Sequence, residues 1–139
     1  MMNKLLIYLI LGIGIAIVVY YYSLNYPVTK KIKQSETETS LRERIVEIFS
    51  YGFLPGTLRI KAGESVTFIN KDSLEHWPAS DIHPTHNLYP ESGGCIGSKF
   101  DACRGLKPGE SWSFTFNKKG TWEYHDHLHS NLRGTIIVE

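Results

Sequence analysis

The sequence is poor in several features that would each indicate a common function. Its 15 Lys and Arg residues nearly balance 14 Asp and Glu residues, for a formal net charge of +1. Charge therefore gives no reason to expect a nucleic-acid partner. No serine lies in a nucleophile elbow, and no pair of acids is placed for hydrolysis. Nothing in the sequence supports a hydrolase, and it contains no internal repeats.

Cysteine is also scarce. The chain has 2 cysteines, Cys95 and Cys103, which lie close enough in one glycine-rich stretch to close a short ring. In the chain-entropy model such a disulfide stabilises a fold by about 2–3 kcal/mol. Because disulfides persist only in oxidising compartments, the pair predicts a domain outside the cytoplasm.

Helical periodicity is missing everywhere except at the N-terminus. Residues 5–22 are uncharged and apolar, and they reach the lower limit of length for a membrane-spanning helix. Tyr20, Tyr21 and Tyr22 would then lie at the membrane interface. A cleaved signal peptide is the alternative, but no Ala-x-Ala pattern follows. We predict an uncleaved membrane anchor at residues 1–26.

The charges that flank this helix conflict with the cysteine pair. Lys30, Lys31 and Lys33 follow the helix, whereas Lys4 alone precedes it, and the positive-inside rule would place the remainder of the chain in the cytoplasm. The lysines lie several positions from the end of the helix, and a C-terminal domain can translocate despite local charge. We therefore predict a domain on the periplasmic or extracellular side.

The rest of the chain divides into a polar tether and an all-β domain. Residues 27–44 are almost devoid of apolar side chains and predict a flexible linker. Residues 45–139 contain short alternating or β-branched segments separated by Gly/Pro turns, with strands predicted at 45–51, 58–60, 65–70, 111–116, 122–125 and 135–138 and a turn at 52–56. This spacing predicts a β-sandwich.

All 6 histidines lie in two parts of this domain. His76, His83 and His86 fall in residues 71–106, a segment without strand rhythm whose length is typical of a functional loop. His125, His127 and His129 follow one another from the end of one predicted strand into the turn before the last strand. Residues two apart in a strand face the same way, so His125 and His127 should share a face if the strand stays extended through Leu128. Imidazole is the commonest side-chain metal ligand, and we expect a metal site here.

The domain resembles the cupredoxins, which are Greek-key β-sandwiches that bind copper at one end. The resemblance extends over about residues 44–139. Its motifs are Gly52-Phe53-x-Pro55-x-x-Leu58-x-Ile60-x-x-Gly63-x-x-Val66-Thr67-Phe68-x-Asn70-x-Asp72, then His76, Pro108-Gly109-Glu110, Phe114-x-Phe116 and Gly120-Thr121-Trp122-x-Tyr124-His125. It implies a copper protein, most often an electron carrier.

The resemblance also locates the usual blue-copper ligands, and two of them are replaced. His76 matches the first histidine. With Tyr124 and Gly134 as guides, the cysteine position holds Asp126, the second histidine is His129 and the methionine position holds Leu132. The thiolate and thioether that define blue copper are therefore missing from this register.

A second register is similar to the first cupredoxin domain of multicopper oxidases. Tyr124-His125-x-His127 matches a Tyr-His-x-His strand, and His76-Trp77 matches the start of a His-Trp-His-Gly motif. Pro78 replaces the second histidine of that motif, and the partner domain that completes the oxidase cluster has no counterpart in the sequence.

These observations predict one copper site with histidine ligands. The expected set is His76, His86, His125 and His127, with His83, His129 and Asp126 as alternates. All-nitrogen ligation suits Cu(II), and it suits Zn(II) as well. Asp126 would either orient an imidazole or serve as a turn residue. Cys95 and Cys103 are the alternative as soft Cu(I) ligands.

The expected function is that of a membrane-anchored, extracytoplasmic cupredoxin-like electron carrier. Copper capture or delivery is the second hypothesis, because the redox-tuning Cys and Met are missing while many histidines are present. A small copper oxidoreductase is the third, because a three-histidine set leaves an open coordination position. The expected partners are the membrane and a redox or copper-transfer protein.

Overall fold

A computed structural model describes residues 3–25 and 44–139 of the chain. The chain divides into two units, 1–40 and 41–139, and each is described by itself. The flexible linker predicted at residues 27–44 lies outside the described residues except for Arg44.

The N-terminal unit contains one helix, α1 (Lys4–Asn25). Asn3 caps it, since its Oδ1 accepts a hydrogen bond from the Leu5 N–H at 3.3 Å. At 1.5 Å per residue the helix is about 33 Å long, close to the thickness of the hydrocarbon core of a bilayer. By length and composition α1 is able to cross a membrane, and a signal sequence near the N-terminus would meet the same criteria.

The second unit is a sandwich of two four-stranded sheets, which confirms the predicted fold class. Its strands are β1 (Ile45–Phe49), β2 (Gly52–Leu54), β3 (Thr57–Ile60), β4 (Glu64–Asn70), β5 (Pro78–Ser80), β6 (Ser111–Phe116), β7 (Gly120–Asp126) and β8 (Arg133–Val138). One sheet has the order β2-β1-β4-β6 and the other β3-β8-β7-β5. The pairs β1–β4 and β3–β8 are parallel, and the other neighbours are antiparallel.

The core lies between the sheets and is rich in aromatic rings. Phe68 of β4 and Tyr124 of β7 face each other with ring centroids 5.3 Å apart, and both are fully buried. Phe100, from the long connection between β5 and β6, packs on both rings. The aliphatic part of the core includes Val46, Ile48, Val66 and Ile136, each without exposed surface. Their period-two spacing along β1, β4 and β8 is the reason that these segments form strands with one buried face.

Three short segments differ from the sequence prediction. Residues 52–54 form β2, where a turn was predicted, because a hairpin pairs Phe53 with Ile48 and buries the Phe53 ring. The first strand ends at Phe49, two residues early, to make room for that hairpin. Strand β5 lies inside the segment expected to have no strand. Its three residues are all buried, and β5 pairs with the end of β7.

A glycine on β8 sets the distance between that strand and the Tyr124 ring. A Cβ at Gly134 would overlap the ring of Tyr124 directly across the ladder, whereas a Cβ at Gly56 would meet only the Phe53 carbonyl oxygen, at 3.7 Å. The absence of a side chain at Gly134 therefore lets Tyr124 fill the core.

We expect Gly134→Ala to lower the free energy of unfolding by about 1–3 kcal/mol, because Tyr124 has no free volume into which to move. Gly56→Ala is the matched control and should change stability by less than about 0.5 kcal/mol. Chemical denaturation of the full chain, followed by tryptophan fluorescence, measures both. Equal stability of the two variants would contradict this account of the close approach.

Candidate metal centre

The histidine-rich sites are built around the last three residues of β7. Tyr124, His125 and Asp126 are fully buried, because β5 covers one edge of this strand segment and β8 the other. Side chains alternate between the faces of a strand. Tyr124 points into the core, so Asp126 lies on the core side, and His125 and His127 lie on the opposite side. The two faces carry two different clusters.

The first cluster consists of His76, Asp126 and His129. One ligand atom from each lies within 4.8 Å of the others. Asp126 Oδ2 contacts His76 Nδ1 and lies 3.0 Å from His129 Nδ1. His76 is held by a two-way backbone bridge with Leu106, and His129 lies in the turn between β7 and β8. Two imidazole nitrogens thus converge on one carboxylate oxygen.

The other oxygen of Asp126 fixes the carboxylate to the backbone. Oδ1 accepts hydrogen bonds from the Trp77 N–H at 2.9 Å and the Leu128 N–H at 3.0 Å. Burial alone would raise the pKa of Asp126, but the hydrogen bonds from Trp77, His76, His129 and Leu128 outweigh it. The pKa lies below its ordinary value. The carboxylate is therefore an anion at neutral pH, and its second oxygen, Oδ2, faces His76 and His129.

Neighbouring groups orient both histidines of this cluster. His76 Nε2 lies 3.1 Å from Asp72 Oδ2, which leaves Nδ1 to face Asp126. A carboxylate on the far nitrogen is the usual support of a metal-ligating histidine. The turn that carries His129 is closed by the Leu132 N–H, which donates to the His129 carbonyl at 2.8 Å. The Asp126 N–H donates to the Leu132 carbonyl at 3.0 Å.

The second cluster contains His83, His86, His125 and His127. One ring nitrogen each from His83, His125 and His127 lies within 4.8 Å of the other two. His86 Nε2 lies 2.8 Å from His127 Nδ1, and His86 Nδ1 lies 2.6 Å from Asp101 Oδ2. His125 has no hydrogen bond at either ring nitrogen, because Asp81 Oδ1, although 2.9 Å from Nδ1, is misaligned.

The second cluster favours uncharged imidazoles. Burial lowers the pKa of His125 to about 4, with a further contribution from His86 and His83, while Asp81 opposes the shift. Burial also lowers the pKa of His127, again with help from His86 and His83. Neutral imidazole is the form that binds metal ions.

A disulfide closes the loop beside this cluster. Cys95 and Cys103 are bonded, with their Cα atoms 5.6 Å apart, which confirms the predicted pairing. The bonded sulfurs carry no thiolate, so Cu(I) ligation by these cysteines would require the reduced pair, and that alternative stays a prediction. Asp101 lies within the ring and is buried. It accepts hydrogen bonds from the Trp77 Nε1–H at 2.6 Å and the Cys103 N–H at 2.8 Å as well as facing His86.

The single ligand set expected from the sequence is divided in the structure. His76 lies with the alternates Asp126 and His129, whereas His86, His125 and His127 lie with the alternate His83. His125 and His127 were predicted to share a face because side chains alternate along a strand. The same alternation places Asp126 on the other face. Asp81 and Asp101 lie in no local motif, and their contacts with His125 and His86 were not predicted. Asp72, in contrast, belongs to the Asn70-x-Asp72 motif that the cupredoxin resemblance rests on.

Comparison with known proteins identifies the class of this sandwich. Amicyanin from Paracoccus denitrificans is 28% identical over 97 residues, covering 68% of this chain and 64% of the relative. Plastocyanin from Scenedesmus fuscus is 30% identical over 89 residues, covering 63% of this chain and 86% of the relative. A solved reduced Cu(I) form of an amicyanin variant superposes with a TM-score of 0.53 and 26% identity, covering 68% of this chain and 80% of that one.

The fold and site thus define a β-sandwich with histidine and carboxylate side chains, of the kinds that can bind a metal ion, clustered at the end of β7. No family model matches the sequence. The similarity to plastocyanin and amicyanin is nevertheless sufficient to assign the chain, which belongs to the cupredoxin superfamily. The chain spans less than two thirds of the length of the Paracoccus denitrificans amicyanin.

The lowered pKa of His125 predicts acid sensitivity of the metal-free protein. Between the unfolded pKa of about 6.5 and the folded pKa of about 4, the unfolded chain binds a proton that the folded chain does not. Stability should therefore fall as the pH falls through this window, by up to about 3 kcal/mol from this group.

The measurement is denaturant unfolding of the chelator-treated full chain from pH 7 to pH 4.5, beside His125→Gln. The variant lacks the titrating imidazole and should show a shallower dependence on pH. Parallel curves for the two proteins would refute the assignment of the effect to His125.

Proposed function

We propose that the chain is a membrane-anchored, extracytoplasmic copper protein that carries electrons, with copper held by His76, Asp126 and His129. The observation that carries the proposal is the convergence of two Nδ1 atoms on the inward oxygen of Asp126. These residues occupy the first histidine, cysteine and second histidine positions of the cupredoxin register. α1, the disulfide and the relatives support the location and the metal.

The donor set of this cluster fits Cu(II). Two imidazoles and a carboxylate are ligands that divalent copper accepts, and Zn(II) accepts them too. Without a metal, Asp126 Oδ2 serves as acceptor for ring N–H groups, so protons occupy the positions where a cation would bind. Metal uptake should therefore release protons. Copper at this position would supply one-electron redox chemistry.

The chain's own residues hold the site rigid for that purpose. Asp72 fixes the ring of His76, the backbone N–H groups of Trp77 and Leu128 fix Asp126, and the closed turn fixes His129. Leu132, at the usual methionine position, is buried and belongs to the hydrophobic core. It presents an apolar wall and no ligand atom.

Copper capture or delivery is the second candidate, and Asp126 is the observation that favours it. A carboxylate is a hard ligand, whereas Cu(I) prefers thiolate and thioether sulfur. A His₂-carboxylate site therefore holds Cu(II) more firmly than Cu(I). Reduction would loosen the ion and favour its transfer to a partner with sulfur ligands.

A change of one ligand tests the position of copper. Wild-type protein loaded with Cu(II) should show weak visible absorption and a wide parallel hyperfine splitting in its EPR spectrum. Asp126→Cys should instead give an intense visible band, because a thiolate then binds the copper. Absorption and EPR spectra of the full chain in detergent measure both.

Ser130→Cys is the matched control, because Ser130 is exposed in the same turn and makes none of the cluster's contacts. It should keep the wild-type spectrum. An Asp126→Cys variant that binds copper without the thiolate band would place copper elsewhere and overturn this ligand set.

Reduction separates the two candidate functions. An electron carrier retains its copper through repeated reduction and reoxidation, with the Cu(II) EPR signal recovered each time. A delivery protein loses copper to a Cu(I) chelator once reduced. Elemental analysis of the protein after each cycle distinguishes these results.

A further inference from the structure

The histidine cluster on the outer face of β7 is not used by the proposed copper site. His125 is its most informative member, because it is fully buried and its ring nitrogens make no hydrogen bond among the described residues, although Asp81 Oδ1 lies 2.9 Å from Nδ1. A buried nitrogen without a hydrogen bond destabilises the folded state. The ligand atoms of His83 and His127 lie within 4.8 Å of that of His125.

We propose that His83, His125 and His127 form a second metal site, separate from the His76–Asp126–His129 cluster, that binds one divalent ion of the imidazole-preferring class, Cu(II) or Zn(II). Three imidazoles are a ligand set that such ions share. The ion would satisfy the unpaired nitrogen of His125. The site needs no residue of the first cluster, so it stands whether or not that cluster binds copper.

A chain of hydrogen bonds orients the ring of His127 toward this site. Asp101 Oδ2 accepts the proton on His86 Nδ1 at 2.6 Å, which leaves a lone pair on His86 Nε2. That lone pair accepts the proton on His127 Nδ1 at 2.8 Å. The remaining nitrogen of His127, Nε2, is therefore unprotonated and available as a ligand. Asp101 and His86 are positioning residues in this arrangement.

The local structure fixes His86 in this role. Its backbone has a φ of +49°, in the left-handed region that non-glycine residues seldom adopt. Its N–H donates to the Ile82 carbonyl at 2.9 Å, and its carbonyl accepts from the Ser98 N–H at 2.7 Å. A Cβ at Gly97 would collide with the carbonyl oxygens of Thr85 and His86, so the disulfide loop lies directly against this turn.

The site is open on one side. His125 is buried and His127 half-buried, whereas His83 is exposed, so the three ligands line a rim between protein and solvent. Three protein ligands leave a tetrahedral ion one position for water or an external ligand. The site is thus suited to exchange of the ion or of a small ligand.

Metal stoichiometry of the full chain in detergent tests the proposal. The protein is stripped with chelator, dialysed against Cu(II) or Zn(II) in separate experiments, and analysed for metal content. We expect two equivalents for the wild type. His83→Ala should bind one equivalent less than the wild type, and since His83 is exposed the variant should keep the fold. Equal metal content in the wild type and in His83→Ala would overturn the proposal, whatever the total content of the wild type.

A second pair of variants separates this site from the first. His129→Gln should lose the first equivalent and keep the one that depends on His83, so failure of the proposed copper site would leave this inference intact. The double variant of His83→Ala and His129→Gln should bind no metal. A full equivalent in the double variant would contradict the assignment to these two clusters.

His86→Gln tests the positioning chain. The variant should still bind the second ion but about 10- to 100-fold more weakly, as for other groups that orient a metal ligand. A purely structural role would lower stability without changing the affinity ratio of the two sites. An unchanged dissociation constant would therefore refute the role given to His86.

Competition of Zn(II) against the second Cu(II) equivalent, read by EPR, distinguishes which ion the site prefers.

Discussion

The buried carboxylate of Asp126 is the group on which this end of the sandwich depends. It has no exposed surface, yet it receives two backbone N–H groups on one oxygen and two imidazoles on the other. An isolated buried carboxylate would be strongly unfavourable, so each donor is needed to hold it as an anion. In return the carboxylate ties together three segments: the connection after β4, the end of β7 and the turn before β8.

The two clusters follow from the geometry of one strand end. Asp126 lies between His125 and His127, so strand alternation places the carboxylate on one face and the imidazoles on the other. Trp77 joins the two faces. Its N–H donates to Asp126, its carbonyl accepts from the His127 N–H at 2.7 Å, and its indole N–H donates to Asp101. A displacement of Trp77 would therefore disturb both clusters at once.

Much of this arrangement could be predicted from local sequence, and the rest depends on tertiary contacts. Alternation along residues 65–70 and 111–116 predicted β4 and β6 because each strand has one face in the core. The sequence did not predict strand β5, because its three residues, one of them Pro78, are too few to show an alternating pattern. Its form depends on pairing with β7. Asp81 and Asp101 could not be found because only the folded loop brings them to His125 and His86.

The replacement of a thiolate by Asp126 has a further consequence for the proposed copper site. A carboxylate and a thiolate carry the same charge, so the N–H groups of Trp77 and Leu128 would face an anion in either case. The two ligands differ in softness, because a carboxylate is a harder ligand than a thiolate. A hard anion stabilises Cu(II) relative to Cu(I), and the apolar Leu132 adds no sulfur to compensate. The site should therefore resist reduction, and a partner that reduces it must be a stronger donor than a blue-copper protein requires. The same hardness lets Zn(II) compete for the site, so the metal that the protein carries depends on which ion its compartment supplies.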